Sequence, residues 1–216
     1  MNILTMKIEL LIFDWSGVIS DDRRPVYEAN MRILREHNKP TMSLEEWLPR
    51  TTMTPIKFLA SCGVNGNPDE LFALYKKYYD EAVKSGIVPK VYPDVHVVFQ
   101  HLKKMGKKLA VLSSHPADNL RKEAEDYSLI SFLDLISGNS KNKVRGLLAI
   151  CEQLGEKPEF SLYVGDMIYD IRAAKEAGVH SAGICTGYHT REELENEKPE
   201  FLLENLSELK KITSSS

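Results

Sequence analysis

The sequence predicts an α/β fold in three layers: a central parallel sheet with helices on both faces, plus a small helical unit inserted after the first strand. Three observations carry this. Five short apolar runs end in small or polar residues, and helical patterns separate most of them. Gly106, Gly155 and Gly178 stand where three of those helices should stop. Residues 22–88 carry helical patterns and no strand signal.

The first predicted strand is Ile8 to Phe13. The others are Leu109 to Leu112, Phe132 to Ile136, Leu162 to Val164 and Ser181 to Ile184. Between them, helices are expected over His96 to Met105, Asp118 to Tyr127, Lys143 to Leu154 and Ile171 to Ala177. Alternation at this spacing requires crossover connections and hence parallel strands covered on both faces. In the insert, Tyr27 to His37, Leu44 to Leu48, Pro55 to Cys62 and Asp69 to Ser85 read as helices, punctuated by Pro40, Pro49, Gly63, Gly66 and Gly86. Residues 89–93 form the return linker. The division is therefore a core of 1–21 and 89–216 with a helical unit of 22–88.

The 216 residues include 43% hydrophobic and 27% charged side chains, the mix of a soluble globular protein. A net charge of −3 leaves no basic footprint for nucleic acid. No apolar run reaches a membrane span and no signal peptide is visible, so a cytoplasmic protein is expected. Cys62, Cys151 and Cys185 are widely spaced and lack a CxxC, which fits reduced thiols rather than a disulfide framework or zinc site. Met6 is an alternative start to Met1, and the tail 213–216 is expected to fray. The sequence is silent on oligomeric state.

Chemistry gathers at the carboxyl ends of the predicted strands, the edge where open α/β sheets bind ligands. Asp14 ends the first strand and places an anionic nucleophile or metal ligand there. Ser16, two residues on, offers a hydroxyl where a second carboxylate could have served as general acid, and Gly17 breaks the run. Ser113 and Ser114 end the second strand, where hydroxyls and free N–H groups can hold a phosphate or simply cap the next helix. Gly165-Asp166 ends the fourth strand, with Asp170 four residues on. Asp166 should enter the same cleft as Asp14, and two carboxylates there call for a hard cation such as Mg²⁺. Lys141 and Lys143 precede the helix leading into that strand, and either can offset the charge of the carboxylates and of a phosphate.

Taken together, FDWSGV (13–18), VLSS (111–114), Lys143 and VGDMIYD (164–170) resemble the motifs of the haloacid dehalogenase superfamily of hydrolases. The resemblance covers nearly the whole chain and implies a Rossmann-like core. Residues 22–88 sit where that family inserts a helical cap, and the lysine-to-aspartate spacing selects Lys143 over Lys141. The stretch 187–194 and Pro199 to Leu202 resemble the end of phosphoglycolate phosphatase-like members.

The resemblance implies a Mg²⁺-dependent phosphatase of small phosphorylated metabolites. Asp14 forms an aspartyl-phosphate, Asp14, the Ser16 carbonyl and Asp166 hold the metal with support from Asp170, and Ser113, Ser114, Gly17 and Lys143 bind the phosphoryl group. Ser16 departs from the phosphatase pattern, which has aspartate there, and loss of a positioned acid costs on the order of 10²–10⁴-fold in rate. That leaves three outcomes: substrates with good leaving groups, a proton from a cap residue or water, or a weak or silent phosphate-binding protein. Phosphonoacetaldehyde hydrolases also have a small residue at this place, and 53–57 resembles the surroundings of their Schiff-base lysine, which would be Lys57.

Overall fold

The computed structural model describes residues 7–51 and 54–213. Met1 and Met6, the tail beyond Thr213, and Met53 of the Lys57 segment lie outside the described residues.

Strand β1 (Leu10–Phe13) is buried along its whole length. Its side chains alternate: Leu11 and Phe13 join one apolar layer, Leu10 and Ile12 the other. Each such fully buried side chain contributes about 1.5–3 kcal/mol, which holds this strand in the middle of the sheet. A short strand β2 (Ser20–Asp21) follows. Then come α1 (Arg23–Glu36), α2 (Leu44–Trp47), α3 (Pro55–Ser61) and α4 (Pro68–Lys84). Ser43, Thr54 and Asn67 cap the last three through their side-chain oxygens, with prolines in the first turn of α3 and α4. These helices share their own core around Trp47, Phe58, Leu59 and Leu34.

Strand β3 (Lys90–Val91) pairs antiparallel with β2 where a linker was expected, so both connections to the helical segment are tied together. The chain continues through α5 (Val95–Lys104), β4 (Lys108–Leu112), α6 (Ala117–Asp126), β5 (Leu135–Ser137), α7 (Lys143–Leu154) and β6 (Ser161–Gly165). It ends with α8 (Ile168–Ala177), β7 (His180–Ile184), α9 (Arg191–Asn196), β8 (Phe201–Leu203) and α10 (Leu209–Thr213). The main sheet has the order β5-β4-β1-β6-β7-β8, and every pairing is parallel.

The predicted fold class holds, with local corrections. The third strand is not Phe132 to Ile136: a 3-10 turn takes Ile130–Phe132, and pairing with β4 begins at Leu135. Phe132 instead turns inward to Phe99. Strand β8 was not anticipated, because three residues are too few to show alternation and only the edge of β7 defines them. Thr213 is buried, and its hydroxyl donates to Leu209 O. Phe72 on α4 is 55% exposed. Cys62, Cys151 and Cys185 are free thiols. Among the described residues, no helix is long and apolar enough to cross a membrane.

Candidate active site

β1, β4 and β6 are adjacent in the sheet, so their carboxyl ends open side by side. Asp14, Asp166 and Asp170 meet there, with one carboxylate oxygen from each within 4.8 Å of the others. Asp14 leaves β1 with its N–H bonded to Val164 O. Its Oδ1 accepts from Trp15 N at 2.8 Å and pairs with Lys143 Nζ at 2.9 Å. Asp166 is buried, and its Oδ2 accepts from Tyr188 N at 2.8 Å. Asp170 lies in the first turn of α8, where its Oδ2 accepts from Met167 N.

Lys143, at the start of α7, is the lysine in this cluster; Lys141 is exposed. The Lys143 ammonium donates to Leu112 O at 3.0 Å and to the Tyr163 hydroxyl at 2.6 Å, and lies 3.5 Å from Asp170. Burial opposes its charge, but Asp14 and Asp170 outweigh burial and hold its pKa above the ordinary lysine value. Burial, reinforced by the charges of Asp170 and Asp14, pushes Asp166 well above the usual carboxylate range. Burial also pushes Asp170 up to about 6, against the pull of Lys143. Three carboxylates facing one ammonium leave an excess of negative charge in a buried place. The hard oxygen donors and their proximity fit a divalent cation of the Mg²⁺ class.

Glycine is required where the backbone crowds Asp166. A Cβ on Gly17, whose φ is +75°, would lie 2.3 Å from Asp166 Oδ2, and one on Gly187 would lie 2.0 Å from the same atom. Gly17 was expected to help bind phosphate. Its N–H donates to Ser20 O and its carbonyl accepts from Thr186 Oγ1.

Ser113 is buried at the end of β4, and its Oγ accepts from His115 N at 3.2 Å and lies 3.1 Å from His115 Nδ1. Ser114 is exposed and does not cap α6, whose N-cap is Pro116. The Ser16 hydroxyl turns to Asp22 Oδ2 at 2.7 Å. Lys57 is exposed on α3, and no hydrogen bond or ion pair joins its side chain to the carboxylate cluster among the described residues.

Several site residues were missed in the sequence. Tyr163 bridges Lys143 and Asp170, its hydroxyl donating to Asp170 Oδ1 at 2.9 Å. A hydroxyl in the middle of an apolar strand was the available signal. Asp22 is buried, raised in pKa by desolvation, and accepts from both Ser16 and the Tyr188 hydroxyl. Tyr188 contacts Asp166 through its N–H and packs its ring edge-on to Trp47.

Comparison with known proteins identifies the family and the fold. Residues 11–184 match the family of haloacid dehalogenase-like hydrolases. A phosphoglycolate phosphatase of Aquifex aeolicus is 29% identical over 215 residues, covering 95% of this chain and 96% of its own. The pyrophosphatase PpaX of Bacillus velezensis is 22% identical over 213 residues, covering 96% and 97%. The fold is that of a haloacid dehalogenase-like hydrolase from Streptococcus pneumoniae, with a TM-score of 0.84, 19% identity and coverage of 95% and 98%. With its family match spanning residues 11–184, the chain belongs to the haloacid dehalogenase-like hydrolases.

Proposed function

We propose that this protein is a Mg²⁺-dependent phosphatase that acts on a small phosphorylated metabolite through an aspartyl-phosphate at Asp14. The observation that carries this reading is the Asp14 carboxylate, held through Oδ1 by Trp15 N and Lys143 Nζ beside two further buried aspartates. An acid fixed in this way presents its other oxygen for attack on phosphorus.

Asp14, Asp166 and the Ser16 carbonyl would hold the metal, with Asp170 in support. Bound there, it supplies charge neutralisation for the transferring group. Ser113 and Lys143 hold the phosphoryl oxygens, and Ser114 lies at the outer rim. Asp14 forms the new O–P bond as the P–O bond to the leaving group breaks with its electron pair. Water then cleaves the aspartyl-phosphate and regenerates the carboxylate. The helices of 22–88 serve as the cap that selects the substrate, and the core is formed by the flanking segments. A cytoplasmic location suits a metabolite phosphatase.

Turnover of acetyl phosphate and 4-nitrophenyl phosphate with Mg²⁺, lost in Asp14→Asn, is the expected result. No turnover at high enzyme concentration, with phosphate and Mg²⁺ binding intact, would favour a phosphate-binding protein instead. Cleavage of phosphonoacetaldehyde that borohydride arrests through Lys57 would replace the phosphatase reading with a phosphonatase.

A further inference from the structure

Ser113 is held at the lip of the carboxylate cluster. The carbonyl just before it, Leu112 O, accepts from Lys143 Nζ at 3.0 Å, and the same ammonium lies 2.9 Å from Asp14 Oδ1. Ser113 N donates to Ser137 O at 2.9 Å, and Ser113 O accepts from Ser140 N at 3.0 Å. The residue is buried and its backbone is tied on both sides. Its Oγ is therefore fixed in place, and what remains to be set is the direction of the hydroxyl hydrogen.

His115 sets it. Ser113 Oγ accepts from His115 N at 3.2 Å, which occupies one lone pair. The imidazole Nδ1 of His115 stands 3.1 Å from the same oxygen. A hydroxyl has one hydrogen and two lone pairs. When Nδ1 is bare it takes the hydroxyl hydrogen, and Ser113 then shows an anion only a lone pair. When Nδ1 carries a hydrogen it donates to the second lone pair, and the hydroxyl hydrogen is left for another acceptor. The turn that carries the ring is itself pinned. His115 O accepts from Asn139 N at 2.7 Å, and Pro116 follows as the N-cap of α6. The neighbouring loop comes so close that a Cβ on Gly138 would lie 2.9 Å from His115 O.

Resting on the phosphatase reading above, we propose that His115 is a positioning residue of the phosphate site: its Nδ1–H, donated to Ser113 Oγ, turns the hydroxyl hydrogen toward a phosphoryl oxygen. An ionised phosphoryl oxygen only accepts, so a bound phosphate selects the Nδ1–H form over the bare one. The ring acts through Ser113.

NMR of the His115 ring nitrogens, assigned by their absence from His115→Asn, reads this on the unmodified protein. With saturating inorganic phosphate and Mg²⁺, Nδ1 should carry the hydrogen. A bare Nδ1 in that complex overturns the proposal. His115→Leu should weaken inorganic phosphate, measured by calorimetry with Mg²⁺, by about three- to tenfold, the scale of one hydrogen bond. His115→Asn should recover most of that loss, because an amide N–H can donate where Nδ1–H did. In Ser113→Ala, adding His115→Leu should change the affinity no further. An equal loss there would mean that the ring acts without Ser113, and overturns the proposal. Phosphate binding with this pattern but no turnover of 4-nitrophenyl phosphate overturns the phosphatase reading alone. Turnover without phosphate binding overturns the role of His115 alone, and absence of both overturns both.

Discussion

The Ser16 hydroxyl lies 2.7 Å from Asp22 Oδ2, and the other oxygen of Asp22 accepts from the Tyr188 hydroxyl at 2.8 Å. A buried carboxylate thus sits directly behind Ser16, where the resemblance to phosphatases implies an acid. This constrains any attempt to restore that acid. Ser16→Asp alone should lose stability, by about 1–3 kcal/mol, because two carboxylates then share one buried pocket. Ser16→Asp combined with Asp22→Asn should recover the melting temperature. The double variant should also gain on alkyl esters relative to 4-nitrophenyl phosphate, by up to the order of 10²-fold. Thermal melts and leaving-group series check both points.

Lys143 forms ion pairs with Asp14 and Asp170 of the carboxylate cluster. Lys143→Met should therefore destabilise the metal-free protein by about 3–5 kcal/mol, the cost of breaking a buried ion pair from one side. Mg²⁺ should restore more of that loss than it adds to the wild type. Urea melts with and without Mg²⁺ give the comparison.

Metal-free stability should depend on pH through Asp170. Its pKa stands near 3.8 in an unfolded chain and is raised to about 6 by burial. A raised folded pKa means that the native state holds the proton more tightly. The stabilisation is complete below about pH 4 and is lost as pH climbs through about 6. Relative to wild type, Asp170→Asn should thus gain on the order of 2–3 kcal/mol between pH 4 and pH 8 in EDTA. Because a cation competes with protons for these oxygens, Mg²⁺ should raise the melting temperature more at pH 8 than at pH 5.

Gly187→Ala places a methyl where Asp166 Oδ2 already lies, so one of them must move. The expected result is a loss of about 1–3 kcal/mol and weaker Mg²⁺ binding, read by calorimetry. Gly86→Ala makes a useful comparison. It sits at φ +97° with open space around its Cβ, so it should cost only the backbone strain and leave Mg²⁺ affinity intact.

Much of this site was legible because its carriers sit at strand ends. Asp14, Ser113 and Asp166 each follow an apolar run, and a parallel sheet aligns such ends without further information. Lys143 could be separated from Lys141 only by analogy, since both precede the same helix; burial distinguishes them directly. Asp22 and Tyr188 were not legible as a pair. They stand 166 positions apart and meet through the packing of two loops, which leaves no periodic trace. Tyr163 was hidden for a different reason. In a strand buried on both faces, its ring reads as one more apolar residue, and only the tertiary position of Lys143 and Asp170 gives its hydroxyl partners.

Tyr188 ends up serving three masters at once: its N–H steadies Asp166, its hydroxyl steadies Asp22, and its ring abuts Trp47 in the helical segment. Whatever repositions Trp47 also works on the carboxylates of Asp166 and Asp22. In linkage terms, the helical segment and the ion become reciprocal effectors, each shifting the other's equilibrium by the same free energy. Trp47→Ala, far in sequence from every carboxylate of the cluster, should accordingly weaken Mg²⁺ binding measured by calorimetry. An affinity equal to that of the wild type would show the two to be independent.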